Sequence, residues 1–270
     1  MLSRPGTAHP RPGPLRVALL SSRRAPGLSH LLEGDPARGR LYELVAAVVS
    51  DSRSEVPAQL AKAAVPCAVH DLRDFCAMRG ARLADPAVRR VYDAQTVRLL
   101  NRFRPQLVLL SGYLHLVTGP LLAAYPDRLV NLHDADLALP GRDGLPRYRG
   151  LRSTYDALAA GEPETRSTAH LVTADLDAGP LLVRSAAFPA HLPLLGEVRN
   201  WQRPDILKAS AYAQREWMMR AAWGRLLSRV IALFAQDGVR VLGGRAVVDG
   251  RLGPEELPPE TAAPRRAAGY

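Results

Sequence analysis

Short, predominantly apolar runs that alternate with helical segments are the feature of this sequence that most constrains its fold. Four such runs lie at 15–20, 44–49, 65–69 and 107–110. Segments with helical periodicity separate them, and polar turns end the first two. Strands that helices bury on both faces have this composition. The first half therefore predicts an α/β fold with a Rossmann-like, doubly wound, mostly parallel sheet, which binds ligands at the carboxyl ends of its strands.

The rest of the pattern predicts the other helices and strands. Helices are expected from 28–32 and over 56–63, 87–103, 154–160 and 205–234, and further strands over 128–133, 167–172 and 181–188. The apolar residues of the long C-terminal helix have helical spacing, which indicates packing against the sheet rather than a cofactor site. Gly243 and Gly244 predict the turn of a terminal hairpin over 239–248.

The helix over 87–103 has the clearest start signal. Asp85 suits the N-cap, and Pro86 suits the first helical position, where its missing N–H leaves no hydrogen bond unmade. One face of this helix is expected in the core, with Val88, Val91, Tyr92, Thr96, Leu99 and Leu100 as its members.

Composition argues against several classes of function. The net charge is +10, but the basic residues are dispersed and all but Lys62 and Lys208 are arginines, which indicates a compositional bias. No nucleic-acid partner is expected, although a positive field favours anionic substrates. No apolar run approaches the roughly 18 residues of a membrane span. Cys67 and Cys76 are the only cysteines, and we expect reduced thiols in a cytoplasmic protein.

Proline-rich segments mark both ends of the chain. Residues 1–14 contain four prolines and two arginines, which predicts a disordered leader rather than a signal peptide. Residues 253–270 are expected to form a flexible tail, so that the catalytic domain spans 15–252. No Cys/His cluster has the spacing of metal ligands, and no metal is expected.

Polar residues suited to acyl transfer follow the strands of the second half. Asn131 and His133 are two apart at a strand end, a spacing that points both side chains to one face. Asp177 follows on a Gly-containing turn after the next strand. An amide can bind an oxyanion, an imidazole can also move protons, and a carboxylate can orient that imidazole or relay protons. We therefore predict Asn131, His133 and Asp177 as catalytic residues, although each motif alone is compatible with a structural role.

These motifs resemble the folate-dependent formyltransferases, above all those that act on glycinamide ribonucleotide. Asn131-Leu132-His133, then His170, then Leu176-Asp177-Ala178-Gly179-Pro180 have that family's order and spacing. The resemblance extends from about Leu15 to Pro189 and includes an Arg-x-x-Tyr-Asp helix at 89–93 and a Gly-Tyr-Leu loop at 112–114. It implies the formyltransferase fold, 10-formyltetrahydrofolate as co-substrate and transfer of its formyl group to a primary amine.

The resemblance also implies residues that bind the folate. These are Arg89, Leu114, Val117, His170, Asp175, Ala178 and Gly179. Arg89 would meet the glutamate carboxylate of the folate, and Leu114 and Val117 its pterin and benzoyl faces. Apolar walls with a few backbone hydrogen bonds suit a flat ring of this kind.

Two departures from the family pattern concern the acceptor. Residues 134–144 are an insertion after His133, expected at the mouth of the site as a lid or as a wall of the acceptor pocket. The family's glycine-rich phosphate loop after the first strand is replaced by Ser22-Arg23-Arg24-Ala25-Pro26-Gly27, in which Pro26 has no N–H to donate. Ser22, Arg23, Arg24 and Gly27 are expected to hold a phosphate through the arginines, or else to form a solvated turn.

Several functions remain open on this evidence. Glycinamide ribonucleotide, an intermediate of purine biosynthesis, is the favoured single acceptor, and an amino sugar or another metabolite amine is the alternative. Hydrolysis of 10-formyltetrahydrofolate is less favoured, because relatives with that activity usually carry a further regulatory domain. A non-catalytic Rossmann-like binding protein is the alternative outside enzymology.

Overall fold

An eight-stranded sheet forms the centre of the chain in a computed structural model that describes residues 13–190 and 204–259. In chain order the strands are β1 (Leu15–Ser21), β2 (Tyr42–Val49), β3 (Cys67–Val69), β4 (Leu107–Leu110), β5 (Leu129–His133), β6 (Glu164–Thr165), β7 (Thr168–Leu171), β8 (Leu181–Arg184), β9 (Phe188–Pro189), β10 (Val239–Leu242), β11 (Arg245–Val248), β12 (Arg251–Leu252) and β13 (Glu255–Glu256). The helices are α1 (Val56–Lys62), α2 (Leu72–Ala77), α3 (Pro86–Asn101), α4 (Gly119–Ala124), α5 (Ser153–Ala160) and α6 (Pro204–Ala235).

The strand order of the main sheet is β13-β8-β7-β5-β4-β1-β2-β3. β1 to β5 pair in parallel, β7 is antiparallel to both β5 and β8, and β13 is parallel to β8. The chain proceeds from β1 to β2 and β3 on one side, then crosses back to β4 and β5 on the other. Its topological switch point lies between β1 and β4, where such sheets bind ligands. The predicted doubly wound, mostly parallel sheet with a long C-terminal helix is confirmed.

Helix α6 closes one face of the sheet. Its residues Met218, Met219 and Trp223 are buried together with apolar residues of β1, β4, β5, β7 and β8 in one core cluster. Trp217, expected in that core, is 46% exposed and packs edge-on against the Phe188 ring instead. Among the described residues, no helix is long and apolar enough to cross a membrane.

Helix α3 starts as its sequence predicts. The Asp85 carboxylate accepts hydrogen bonds from the backbone N–H groups of Ala87 and Val88, and Pro86 occupies the first turn. The predicted core face is correct for Tyr92, Thr96 and Leu100, which are buried. Val91, however, is 53% exposed, and the polar residues Arg89 and Asp93 are buried in its place. Val88 and Leu99 are partly buried against apolar clusters, so Val91 is the one predicted member that lies off the buried face.

Other short elements differ from their predictions. The helix expected from residue 28 does begin there, but after Leu28 and Ser29 it continues as a π-helical turn at His30–Gly34. Helices α2 and α4, which the pattern does not predict, have six residues each, fewer than two full turns over which periodicity could show. The terminal hairpin is confirmed, with β10 and β11 antiparallel and Gly243-Gly244 at its turn in left-handed conformations.

The disordered leader and the flexible tail predicted at the two ends of the chain lie partly outside the described residues. Of the leader over 1–14, only Gly13 and Pro14 are described, and of the tail over 253–270, residues up to 259. β13 pairs with β8, and ion pairs join Glu255 to Arg229 and Glu256 to Arg184. The predicted domain boundary at residue 252 is therefore too early, because these long-range charge pairs have no local sequence signal.

The turn after β1 packs closely against α6. Gly27 has φ +84°, and a Cβ added there would lie 2.8 Å from Leu227 Cδ1 and 2.9 Å from the backbone nitrogen of Gly224. Gly39 has a similar φ of +77° but has no atom within 4 Å of such a Cβ. The two glycines share backbone strain and differ in their surroundings.

We expect Gly27→Ala to destabilise the protein more than Gly39→Ala does. Both substitutions carry about 1 kcal/mol for a left-handed residue with a Cβ, and Gly27→Ala adds about 1–3 kcal/mol because it overpacks the contact with α6. Urea unfolding monitored by circular dichroism measures the difference in free energy of unfolding. Equal losses in the two variants would show that the turn is not held against α6.

Candidate active site

Neighbouring strands bring the first two polar residues of the site together. Asn131 on β5 lies directly opposite His170 on β7 in the antiparallel register. Its Nδ2 is 3.1 Å from His170 Nε2 and donates to the Asp177 carboxylate at 3.4 Å. The pairing of β5 with β7 therefore sets the distance between the amide and the imidazole before any loop contributes.

The turn after β7 holds Asp177 in a strained backbone conformation. Asp177 has φ +49°, in the left-handed region that Asp adopts more readily than most residues. Its Oδ2 accepts the backbone N–H of Gly150 at 2.8 Å. A Cβ on Gly179 would collide with the backbone carbonyl of Leu171. Gly179 thus allows the turn to close on β7 and keeps Asp177 pointing inward.

His133 faces two oxygen acceptors. Its Nδ1 lies 3.5 Å from Asp177 Oδ2, and its Nε2 lies 3.1 Å from the backbone carbonyl of Tyr148. An imidazole with hydrogens on both nitrogens donates to both of these oxygens. The ring is 6% exposed and is fixed at both ends.

The Asp177 carboxylate is kept ionised by its neighbours. Burial alone would raise its pKa, but the hydrogen bond with His170, the charge of His133 and the Gly150 N–H lower the pKa to about 2. The structure thus brings Asn131, His133, His170 and Asp177 together around one buried anion. Such a cluster has hydrogen-bond donors, an imidazole for proton transfer and a fixed charge.

These four side chains lie in the wall of a cavity of about 320 Å³, the reaction cavity. Most of its other lining is apolar and comes from β4, β5 and the loops after β4, β5 and β7, with Leu110, Leu114, Leu116, Val117, Leu132 and Leu176 among its members. His115 also lines it, and burial lowers the pKa of that imidazole to about 4, which leaves it neutral near pH 7. The cavity lies at the carboxyl ends of the strands, where the sequence pattern predicts a ligand.

The predicted folate-binding residues fall into two groups. Leu114, Val117, His170 and Asp175 line the reaction cavity, whereas Ala178 and Gly179 shape the turn behind Asp177 without lining it.

Arg89 does not line the reaction cavity, and its role at a folate carboxylate stays a prediction. It is 6% exposed, its Nη2 donates to the carbonyl of Leu116 at 2.6 Å, and it faces Asp93 at 3.5 Å. Asp93 in turn accepts from the backbone N–H and the hydroxyl of Thr118. The pair therefore holds the loop after β4 that carries Leu114 and Val117.

The predicted phosphate residues lie outside the reaction cavity. The Ser22 hydroxyl is buried, bonded to Ser50 Oγ at 2.8 Å, and accepts the N–H of Leu114. Arg23, Arg24 and Gly27 line a separate cavity of about 460 Å³. We call it the third cavity, because a second cavity lies nearer to the reaction cavity. The third cavity shares no lining residue with the reaction cavity. The Arg24 guanidinium forms an ion pair with Glu216 on α6. The turn packs on α6, and its phosphate-binding role stays a prediction.

The insertion after His133 is folded onto the edge of the sheet. Asp136 pairs with Arg184 at 3.0 Å, Thr168 Oγ1 donates to the carbonyl of Ala135, and Pro140 and Pro146 form a β-bridge. Of residues 134–144, Asp134 alone lines the reaction cavity. The insertion therefore contributes one wall residue and is tied down at its base, unlike a free lid.

Sequence reasoning missed several groups of the site. The carbonyl of Tyr148 and the N–H of Gly150 are backbone groups, which leave no residue-type signal. Asp134 and Arg215, which form a close ion pair in the cavity wall, lie 81 positions apart in the sequence. Among the described residues, no group of three or more His, Cys, Asp or Glu side chains is placed to hold a metal ion.

Comparison with known proteins identifies relatives of this chain. The sequence model of the formyl transferase family matches residues 15–189, more than half of the chain. The chain is 32% identical over 174 residues to the trifunctional purine biosynthetic protein adenosine-3 of Drosophila melanogaster, covering 63% of this chain but only 11% of that protein. It is 27% identical over 239 residues to a phosphoribosylglycinamide formyltransferase of Mycobacterium tuberculosis, covering 88% of this chain and 94% of that one.

A solved structure shows the same fold. Glycinamide ribonucleotide transformylase 1 from Symbiobacterium toebii superposes with a TM-score of 0.66 at 23% identity, covering 88% of this chain and 95% of that one. The likeness extends beyond residue 189 and so includes part of the region after the matched family segment.

We expect the stability difference between wild type and Asp177→Asn to depend on pH. The folded-state pKa of Asp177, about 2, lies below its usual 3.8, so the folded protein releases this proton more readily than the unfolded chain. The ionised carboxylate therefore stabilises the fold fully above about pH 4, and that stabilisation is lost as the pH falls through about 2. About 2 kcal/mol of the wild-type advantage over the variant should disappear in this interval.

Urea unfolding of both proteins across this pH range measures the effect, because other carboxylates titrate alike in both and cancel in the difference. A difference that stays constant with pH would show that Asp177 is not held as a buried anion.

Proposed function

Because the chain belongs to the formyl transferase family, we propose that it transfers the formyl group of 10-formyltetrahydrofolate to the primary amine of a small molecule. The observation that carries this proposal is the cluster of Asn131, His133 and Asp177 at the polar end of an otherwise apolar cavity. Glycinamide ribonucleotide is the favoured single acceptor, since relatives of similar length are named for it. Purine biosynthesis and a cytoplasmic location belong to the same proposal.

The first step is attack of the neutral amine nitrogen on the formyl carbon. The new C–N bond converts the formyl oxygen into an oxyanion of a tetrahedral intermediate, and no covalent bond to the enzyme is needed. Asn131 Nδ2 and the His133 ring lie on one face of β5, and their N–H groups would exchange their contacts within the cluster for the oxyanion as it forms. Preorganised donors in such positions stabilise the developing charge by about 3–4 kcal/mol.

The second step moves a proton and expels the folate. The attacking nitrogen must lose a proton, and N10 of the folate must gain one as its bond to the formyl carbon breaks. His133 serves as the acid/base group, since its Nδ1 lies 3.5 Å from the Asp177 carboxylate, which orients the ring. The products are the N-formyl amine and tetrahydrofolate, so that atoms and charge balance.

The lining of the reaction cavity suits the folate side of this reaction. Leu114 and Val117 supply apolar walls for a flat ring, and His115 faces the cavity as a neutral imidazole. Contacts of the loop after β4, which carries Leu114, give further support, because Ser22 and Arg89 both form hydrogen bonds to its backbone. The loop is thus held in place independently of the acceptor.

An absorbance assay of tetrahydrofolate release tests the proposal. The 10-formyl folate donor is supplied with glycinamide ribonucleotide, with amino sugars, with amino acids and with no amine. Turnover with glycinamide ribonucleotide supports a role in purine synthesis, and turnover with another amine only supports the chemistry and reassigns the acceptor. Release without any amine would identify a hydrolase. Folate binding without release under any condition would favour a binding protein and overturn the proposal.

We expect Asn131→Ala and His133→Ala each to lower kcat about 100-fold or more, because each removes an oxyanion or acid/base contribution. Asn101→Ala and His30→Ala are matched controls, since they remove the same groups outside the reaction cavity, where Asn101 bonds to Tyr125 and His30 to Ser228. Steady-state rates and circular dichroism are compared for all four variants. Full activity of Asn131→Ala or His133→Ala would show that the site is assigned wrongly.

A further inference from the structure

A second cavity adjoins the polar end of the reaction cavity and is larger than it. Its volume is about 570 Å³, and it lies between α5 and α6. Asp134, Leu151 and Arg215 line both this second cavity and the reaction cavity. These three residues form a shared wall beside Asn131 and His133. The second cavity is therefore adjacent to the reacting groups, whereas the third cavity shares no lining residue with the reaction cavity.

The described lining of the second cavity has an excess of positive charge. Arg152, Lys208 and Arg215 are its cations, and Asp134 is its single carboxylate, which gives a net charge of +2. Arg152 has a 3.7 Å contact with Asp156, but both side chains are exposed and solvent screens the pair. Tyr155 adds an aromatic wall. A cavity with this charge complements a phosphate dianion.

Asp134 fixes the cation nearest the reaction. The carboxylate is 7% exposed, accepts from Thr154 Oγ1 at 3.1 Å, and pairs with Arg215 Nε. Because Asp134 engages Nε, the two terminal amino groups of Arg215 remain as donors at the shared wall. Asp134 follows His133 directly in the sequence, so the position of Arg215 is tied to the catalytic strand.

We propose that the second cavity binds the acceptor and that the acceptor carries a phosphate group, held by Arg152, Lys208 and Arg215. This inference rests on the proposed formyl transfer and places the phosphate away from the turn after β1. With the phosphate there, the amine reaches Asn131 and His133 across the shared wall. The turn after β1 is less suited, since Ser22 is bonded to Ser50 and the arginines of the turn line the third cavity, which shares no lining residue with the reaction cavity.

The test compares two double variants that each remove two positive charges. Arg152→Ala/Lys208→Ala empties the second cavity of its outer cations. Arg220→Ala/Arg225→Ala is the matched control, because both residues line the third cavity and lie on the same helix as Lys208. Each is assayed with glycinamide ribonucleotide and with glycinamide riboside, which lacks the phosphate.

The Arg152/Lys208 variant is expected to raise KM for the phosphorylated acceptor about tenfold or more. Its KM for the riboside and for the folate donor should stay at the wild-type value, and the control variant should keep all three. A rise of KM in the control variant alone would place the phosphate in the third cavity and overturn the inference. Equal wild-type KM values for the two acceptors would overturn it as well.

A binding experiment separates failure of this inference from failure of the proposed function. Inorganic pyrophosphate is titrated calorimetrically into the full chain and into both double variants. Binding that the Arg152/Lys208 variant loses and the control variant keeps supports the anion site, even where no amine is formylated. Absence of binding to the wild type, or equal binding to both variants, overturns the site whatever the enzyme assay shows.

Discussion

A single buried carboxylate organises the candidate site. Asp177 accepts the Gly150 N–H and lies within 3.6 Å of both His133 and His170. Three chain segments that are distant in sequence therefore meet at one negative charge: the strand β5, the turn after β7 and the approach to α5. A buried charge is costly unless every neighbour compensates it. The arrangement of Asn131, His133 and His170 is thus constrained by the need to stabilise this anion as well as by the reaction proposed for the site.

Much of the fold could be predicted because its signals are local. The apolar runs of β1, β2 and β4 are short and continuous, as buried parallel strands require. Asn131 and His133 were predictable as a pair, because alternation along a strand sends residues two apart to one face. The N-cap at Asp85 is likewise predicted from adjacent residues. Each of these features lies within at most 8 consecutive positions, in the usual range of strand lengths.

The remaining features depend on packing between distant segments. Arginine is usually found at the surface, yet a hydrogen bond to the Leu116 carbonyl and an ion pair with Asp93 keep Arg89 buried. The carbonyl of Tyr148 and the N–H of Gly150 act through the backbone and are invisible to residue type. The face that Arg215 presents depends on how α6 lies across the sheet. Such contacts exist only after the chain has folded, so no local pattern contains them.

Arg215 occupies the wall between two adjacent cavities, with Asp134 fixing one edge of its guanidinium. A wall residue of this kind cannot change its rotamer for one ligand without altering the surface seen by the other. Thermodynamic linkage then requires that the influence be mutual and equal in free energy. Ligands in the two cavities would therefore influence each other's affinity through the orientation of one side chain.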